Sequence, residues 1–217
     1  MVAGGEQWAA TTHDWAIGAD VAHIDFIRSR CAEYARGGAL HLVLEVLAYA
    51  DDEAHELGRT GHCTILLGPE ESVSVSDDGR GTDTRRRPGG TVVRKPIMSS
   101  RDLRFFDATD PVRLSDGLPR RGISVVAALS DWLVHLNRRS DGAWEQRYEH
   151  GLPLAALAER SDQGGITGTT VRFHPDASLV PHYPLNADVI REVADFPSLV
   201  LQIRTSSGGQ VARTSGQ

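Results

Sequence analysis

The sequence predicts an α+β protein, a two-layer α/β sandwich whose mixed, mostly antiparallel sheet carries helices on one face. Three observations predict it. Gly38 to Leu57 repeats Leu40, Val43, Leu44, Leu47 and Ala54 at helical spacing, with acidic residues on the other side. Two pairs of alternating segments read as β-hairpins: 64–67 with 72–77 around Gly68-Pro69-Glu70-Glu71, and 134–139 with 143–150 around Ser140-Asp141-Gly142. Helices and hairpins in this order give a largely antiparallel sheet covered on one side.

The elements follow in order. Residues 1–20 are mixed in character and read as a flexible N-terminal segment in which Trp8 and Trp15 pack on something. A first helix is expected over 22–34, and the amphipathic helix over 38–57 follows it. From Gly81 to Gly117 periodicity fails, with a loop at Arg85-Arg86-Arg87-Pro88-Gly89-Gly90 and a short ordered patch at 103–106. So long an irregular stretch inside a compact domain reads as a lid, about 82–121, or as an insertion. Residues 122–133 return to helix, with Ile123, Val126 and Ala127 on one face. After the second hairpin come a strand over 169–174, a helix over 187–193 and a strand over 199–204. The Ser/Gly/Gln-rich residues 205–217 read as a disordered tail, leaving 21–204 as the domain.

Bulk properties narrow the function classes. The 217 residues suffice for one domain with a real core, and a net charge of −6 gives no global basic field for DNA or anionic lipid. Cys31 and Cys63 lack metal-ligand spacing and read as reduced, mostly buried thiols of a cytoplasmic protein. No apolar run has the length of a membrane span, and the first ten residues lack a signal pattern, so no membrane partner is expected. His55 and His62, beside Cys63, have no metal-site spacing either, so no metal ligand is assigned. The cluster Arg85, Arg86, Arg87, Arg94 and Lys95 suits a solvated loop better than a nucleic-acid contact, because no aromatics interleave it. Lys95 is the chain's only lysine.

The most informative stretch is Val75-Ser76-Asp77-Asp78-Gly79-Arg80-Gly81. A carboxylate leaving a strand into a Gly-x-Gly turn accepts a hydrogen bond from an exocyclic amine, and the glycines let a flat ring approach the backbone. That combination points to adenine recognition. On the helix upstream, Glu45, Tyr49 and Asp52 share one stripe at i, i+4 and i+7. Glu45 there fits a general base raised by partial burial, and the same stripe fits an ordinary solvated acidic face that includes Asp51-Asp52-Glu53.

Five blocks in this order resemble the ATP-binding domains of DNA gyrase B and topoisomerase IV, within the GHKL fold that also includes Hsp90, histidine kinases and MutL. They are His41–Ala54, Ser74–Gly81, Gly117–Ser130, Arg147–Gly151 and Thr167–Phe173. The resemblance runs from about Val21 to Arg204. It implies Glu45 as the base that activates the attacking water and Asp77 as the carboxylate that binds the adenine amino group. It implies Thr169 as a supporting hydroxyl, Gly79 and Gly81 as the turn under the base, and Arg80 paired with Glu53 over the adenine edge. Val46, Val75, Val125 and Val171 become apolar wall. Arg139 takes the place of an arginine at the pocket mouth that contacts aminocoumarin inhibitors in the family.

The pattern departs at the phosphate end. Tyr49 stands where the family has the asparagine that coordinates Mg²⁺, and a phenol is a poor ligand for a hard cation, which argues against Mg²⁺ here. The family's glycine-rich lid, whose backbone N–H groups cradle the triphosphate, becomes Gly117-Leu118-Pro119-Arg120-Arg121-Gly122. Pro119 removes a donor, and Arg120 adds a Cβ where positive φ is expected. Arg120 and Arg121 either grip phosphate directly or form a solvated pair. Thr82-Asp83 replaces an apolar residue and a proline. The chain is read as ending before the family's second domain and its lysine to the γ-phosphate.

These readings give an adenine-nucleotide-binding domain for ATP or ADP, or another pocket-filling small molecule, with a remodelled phosphate site and weak or absent hydrolysis. A homodimer or a gyrase-related protein is the expected partner, and direct DNA binding is not expected. The alternatives are an active Mg²⁺-dependent ATPase using Glu45, and a protein-interaction domain with an empty pocket.

Overall fold

The computed structural model describes residues 12–13, 18–86, 92–161 and 164–206. The expectations for Trp8, Trp15, most of the N-terminal segment, Arg87–Gly90 and most of the tail fall outside them.

The chain begins with α1 (Val21–Ser29) and a single turn, α2 (Cys31–Tyr34). The one helix expected over 22–34 is therefore two. Asp20 caps α1 by accepting the His23 N–H at 3.0 Å, and Arg30, at φ −115°, interrupts the helical run. The long helix α3 (Gly38–Glu56) follows. Its first three turns are buried nearly all round, His41, Glu45 and Ala48 included, because the sheet lies on one side and α4 with the lid segment on another.

Strand β1 (Gly61–Leu67) and β2 (Val73–Asp77) form the first hairpin across a 3₁₀ turn at Pro69–Glu71. Next come β3 (Thr84–Arg86) and β4 (Val92–Arg94), a separate two-stranded ribbon in the stretch expected to be a loop. Helix α4 (Ile123–Ala128) is shorter than expected, because β5 (Ser130–Arg139) begins only two residues beyond its last residue. The remaining elements are β6 (Gly142–Glu149), the short edge pieces β7 (Leu152–Pro153) and β8 (Ala158–Arg160), β9 (Gly168–Pro175), α5 (Ala187–Val193) and β10 (Leu199–Thr205).

The main sheet runs β10-β1-β2-β9-β5-β6-β7, with β8 beside β6. Only the β1–β10 pairing is parallel. Cys63, Ile65, Val75, Val171, Phe173 and Leu133 point into the core beneath α3 and α4. On the other face of β1 and β9, His62, Leu66 and Arg172 are exposed and Thr64, Thr170 and His174 half-buried, so helices cover a single face. This is the expected two-layer sandwich. Cys63 is buried and Cys31 half-buried, both as free thiols. Among the described residues, no helix is long and apolar enough to cross a membrane.

Candidate ligand cavity

The sheet order places Asp77, the last residue of β2, next to Thr169 near the start of β9. Asp77 Oδ1 accepts the N–H of Gly79 at 2.8 Å and of Thr169 at 3.2 Å, and Oδ2 accepts the Thr169 hydroxyl. Burial pushes the Asp77 carboxyl above its ordinary pKa, against these three hydrogen bonds. On α3, Glu53 forms a two-point bridge to Arg80, with Nε–Oε1 2.7 Å and Nη2–Oε2 2.9 Å, and also accepts the Arg80 N–H at 3.0 Å. Arg80's hydrogen bonds hold Glu53 below the usual carboxylate range.

Gly81 requires its missing side chain. At φ +80°, a Cβ would come within 2.5 Å of the Arg138 carbonyl oxygen and 2.6 Å of Asn137 Oδ1. Asn137 clamps the next residue by accepting the Thr82 N–H and donating to the Thr82 carbonyl, both at 2.8 Å. Arg139 donates to the Gly81 carbonyl at 2.8 Å. Gly81→Ala is therefore expected to lower stability by about 2–3 kcal/mol, read by chemical denaturation, and to weaken any ligand held by this turn.

Asp77, Arg80, Gly81 and Thr169 line a cavity of about 330 Å³, together with Tyr49, Glu53, Arg139, Val46 and Val171. The cavity also takes in Thr12, Lys95, Met98, Arg104 and His135, none of which was singled out from sequence as a site residue. Val75 and Val125, expected as wall, belong to the core behind this lining. Gly79 is buried beneath it, between Glu53 and Asp77.

The other expected site residues sit at the junction of α3 with the lid segment. Glu45 is fully buried, at 0% exposure, and does not line the cavity. Its Oε1 accepts the Arg121 N–H at 2.6 Å and its Oε2 the Gly122 N–H at 3.0 Å. His41, 3.7 Å from Oε1, ties it further to the lid through a 2.7 Å contact with Asp116. Burial raises the Glu45 pKa, opposed by His41 and by the two backbone donors. One turn on, the Tyr49 hydroxyl donates to Asp102 Oδ2 at 2.6 Å and accepts the Ile123 N–H at 3.3 Å. Burial and the Asp102 carboxylate hold the Tyr49 phenol well above its ordinary pKa.

Arg120 is buried and makes a two-point bridge to Asp52, at 3.1 and 2.7 Å, with its guanidinium 4.0 Å above the Phe105 ring. It is not a solvated surface cation. Its backbone is not at positive φ; among the described residues from Thr82 to Gly122, those at positive φ are Gly117 and Gly122. Arg121 sends its guanidinium to the Phe106 carbonyl at 2.8 Å. Asp102 and Arg104, unmarked in the sequence, complete the junction: Arg104 bridges Asp102 at 3.1 and 2.9 Å. Burial acts to raise the Asp102 pKa, but bonds from Arg104 and Tyr49 outweigh it and hold the carboxyl low.

Elsewhere, Asp131, His150 and Asp176 bring three potential ligand atoms within 4.8 Å of one another. Asp176 already accepts Arg28 at 3.1 Å and Ser178 at 2.5 and 3.0 Å, which leaves it a structural acceptor.

No protein-family profile matches the chain. It is similar to the DNA gyrase B protein of Archaeoglobus fulgidus, 31% identical over 79% of this chain and 29% of that protein. It is similar to gyrase B of Thermotoga maritima, 31% identical over 80% of the chain and 28% of the relative, and of Haloferax volcanii, 36% over 72% and 26%. The chain thus spans under a third of the length of these curated relatives. Among solved structures it resembles the topoisomerase IV ATP-binding domain of Francisella tularensis in complex with a small-molecule inhibitor, with TM-score 0.54 and 25% identity over 70% of this chain and 40% of that one. The matched lengths and the shared two-layer sandwich agree with the five sequence blocks, and the chain belongs to the family of gyrase B and topoisomerase IV ATP-binding domains, which have the GHKL fold.

Proposed function

We propose that this domain binds an adenine nucleotide, or a small molecule with an adenine-like base, in the cavity under Asp77, and that it hydrolyses ATP weakly or not at all. It acts as a ligand-binding or gyrase-related regulatory module, with a homodimer or a gyrase-type protein as its protein partner. The observation that carries this reading is the pair of bonds from the Arg121 and Gly122 N–H groups to Glu45. In the family pattern, the lid's backbone donors serve the triphosphate. Here the protein's own carboxylate takes them, Ile123 N–H goes to Tyr49, and Asp52 takes Arg120.

Magnitudes support weak turnover. One preorganised donor to a developing charge is worth roughly 3–4 kcal/mol of barrier, and a bound metal contributes several more. Tyr49, hydrogen-bonded to Asp102, offers Mg²⁺ no carbonyl oxygen. The base half of the site has no such defect. Asp77 stands at the cavity wall with Thr169 beside it, and the inhibitor complex of the relative gives precedent for a small molecule in such a domain.

Asp77→Asn is expected to weaken adenosine binding by about 1.5–3 kcal/mol, the worth of a hydrogen bond to a charged acceptor. Titration calorimetry measures it, and unchanged affinity would place the base elsewhere. The enzymatic alternative has one observation in its favour, the retention of Glu45 with a burial-raised pKa beside His41. Mg²⁺-dependent phosphate release that vanishes in Glu45→Gln would establish that alternative and remove the weak-turnover reading. The arginine at the mouth, Arg139, is the residue against which an aminocoumarin would be tested in the same titrations.

A further inference from the structure

Nearly every charge around the cavity has an opposite partner. Asp83 pairs with Arg139 at 3.2 Å, Asp102 with Arg104 at 2.9 Å and Asp52 with Arg120 at 2.7 Å. Arg80 bridges Glu53 at 2.7 Å and Glu56 at 3.0 Å. Two charges stand outside this cancellation. Asp77 is held by a hydroxyl and two N–H groups, none of them a cation. Lys95 lines the same cavity and has no carboxylate within ion-pair distance among the described residues.

Lys95 is fixed in place by its backbone. Its N–H donates to the Asp83 carbonyl at 3.0 Å, and its own carbonyl accepts the Ile97 N–H at 2.9 Å. It is half-buried, and that burial lowers its pKa. An ammonium partly withdrawn from water, with Asp83 and Asp102 acting on it only from beyond ion-pair distance, gains when an anion arrives within contact. The cavity therefore has a negative pole at Asp77 and a positive pole at Lys95, and the lid donors are already committed to Glu45 and Tyr49.

We propose that Lys95 is an anion-recognition residue of this cavity, and that the ligand is dipolar: an amino-substituted heteroaromatic base on Asp77 and a single anionic group, a phosphate monoester or a carboxylate, on Lys95. This rests on the reading of Asp77 as the base anchor. It adds that one negative group is used and that further phosphates gain nothing.

The test is titration calorimetry of the full chain with adenosine, adenosine monophosphate, adenosine-5′-carboxylic acid and ATP, repeated on Lys95→Met and Lys95→Arg. The monophosphate is expected to bind the unmodified chain about tenfold more tightly than adenosine, as a charged hydrogen bond gives. That gain should vanish in Lys95→Met and survive in Lys95→Arg, while adenosine binds all three alike and ATP does no better than the monophosphate. An equal gain from the carboxylate assigns any single anion, and a gain from the monophosphate alone assigns the phosphate ester. Adenosine bound as tightly as both anionic forms, or a gain that persists in Lys95→Met, overturns the Lys95 assignment and leaves the base anchor standing. No binding of adenosine or its monophosphate overturns both. Thermal melts of the two variants matching the unmodified chain show that the fold is intact.

Discussion

Glu45→Ala is expected to destabilise the fold by about 3–5 kcal/mol, the range seen when one partner of a buried charged contact is removed. The side chain is fully buried and its two oxygens serve two different backbone donors, Arg121 and Gly122. Truncation leaves both N–H groups without acceptors, at about 1–3 kcal/mol each, and opens a void beside His41. Gly122, at φ +104°, presents that N–H just ahead of α4 and cannot easily turn it to another partner. Glu45→Gln keeps the shape and one acceptor oxygen but turns an NH₂ group toward one of the donors. It is expected to cost about half as much. Urea denaturation of both variants measures this. The outcome separates the two readings of Glu45. A lid anchor loses stability in Glu45→Gln, whereas a residue kept only as a base for water would lose turnover at unchanged stability.

How much of this site was legible in the sequence depends on how local each contact is. Asp77, Gly79 and Gly81 were readable because a strand end and its turn are set within seven residues. Glu53 and Arg80 followed from resemblance, and the structure pairs them at 2.7 Å. The stripe Glu45, Tyr49 and Asp52 was readable from helical spacing. What it touches was not, since Asp102, Arg120, Arg121 and Gly122 come from a segment without periodicity, 53 to 77 positions away. Asn137 was missed for a related reason: an asparagine inside an alternating strand carries no mark of the loop it clamps. The helix expected over 122–133 ran too far because Leu129 to Leu133 is apolar enough for either helix or strand, and pairing of β5 with β6 and β9 decides for strand. The ribbon of β3 and β4 and the edge pieces β7 and β8, each of two or three residues, lie below the length at which alternation can be counted.

Acid is expected to unfold the protein well before its carboxylates are fully protonated, and two buried histidines account for the direction. Burial lowers the pKa of both His13 and His23 from 6.5 to about 4. Each has one ring nitrogen with a partner. His13 Nδ1 meets Thr12 Oγ1 at 2.9 Å, and His23 Nε2 meets Ser124 Oγ at 2.9 Å, joining α1 to α4. The other nitrogen of each ring is buried without a hydrogen-bond partner among the described residues, so a second ring proton would have no acceptor. Above pH 6.5 the imidazoles are neutral in both states and add no pH dependence. Between 6.5 and about 4 the unfolded chain takes up protons that the folded chain refuses, so stability falls with falling pH. Over that window each histidine removes up to about 3 kcal/mol, at roughly 1.4 kcal/mol per pH unit. Glu45 and Asp77, with raised pKa values, work against this, because the folded state holds their protons more tightly and gains stability as the pH drops. Glu53 and Asp102, held low by their arginines, add to the acid loss below the ordinary carboxylate range. The two histidines are thus the groups that give the net loss its position between pH 6.5 and 4. Denaturation midpoints at pH 7, 5.5 and 4.5 should fall in sequence, and His23→Gln, which cannot be charged, should show about half the slope whatever its absolute stability. A His23→Gln slope equal to that of the unmodified chain would mean that His23 titrates normally and that α1 and α4 are joined by something other than a neutral imidazole.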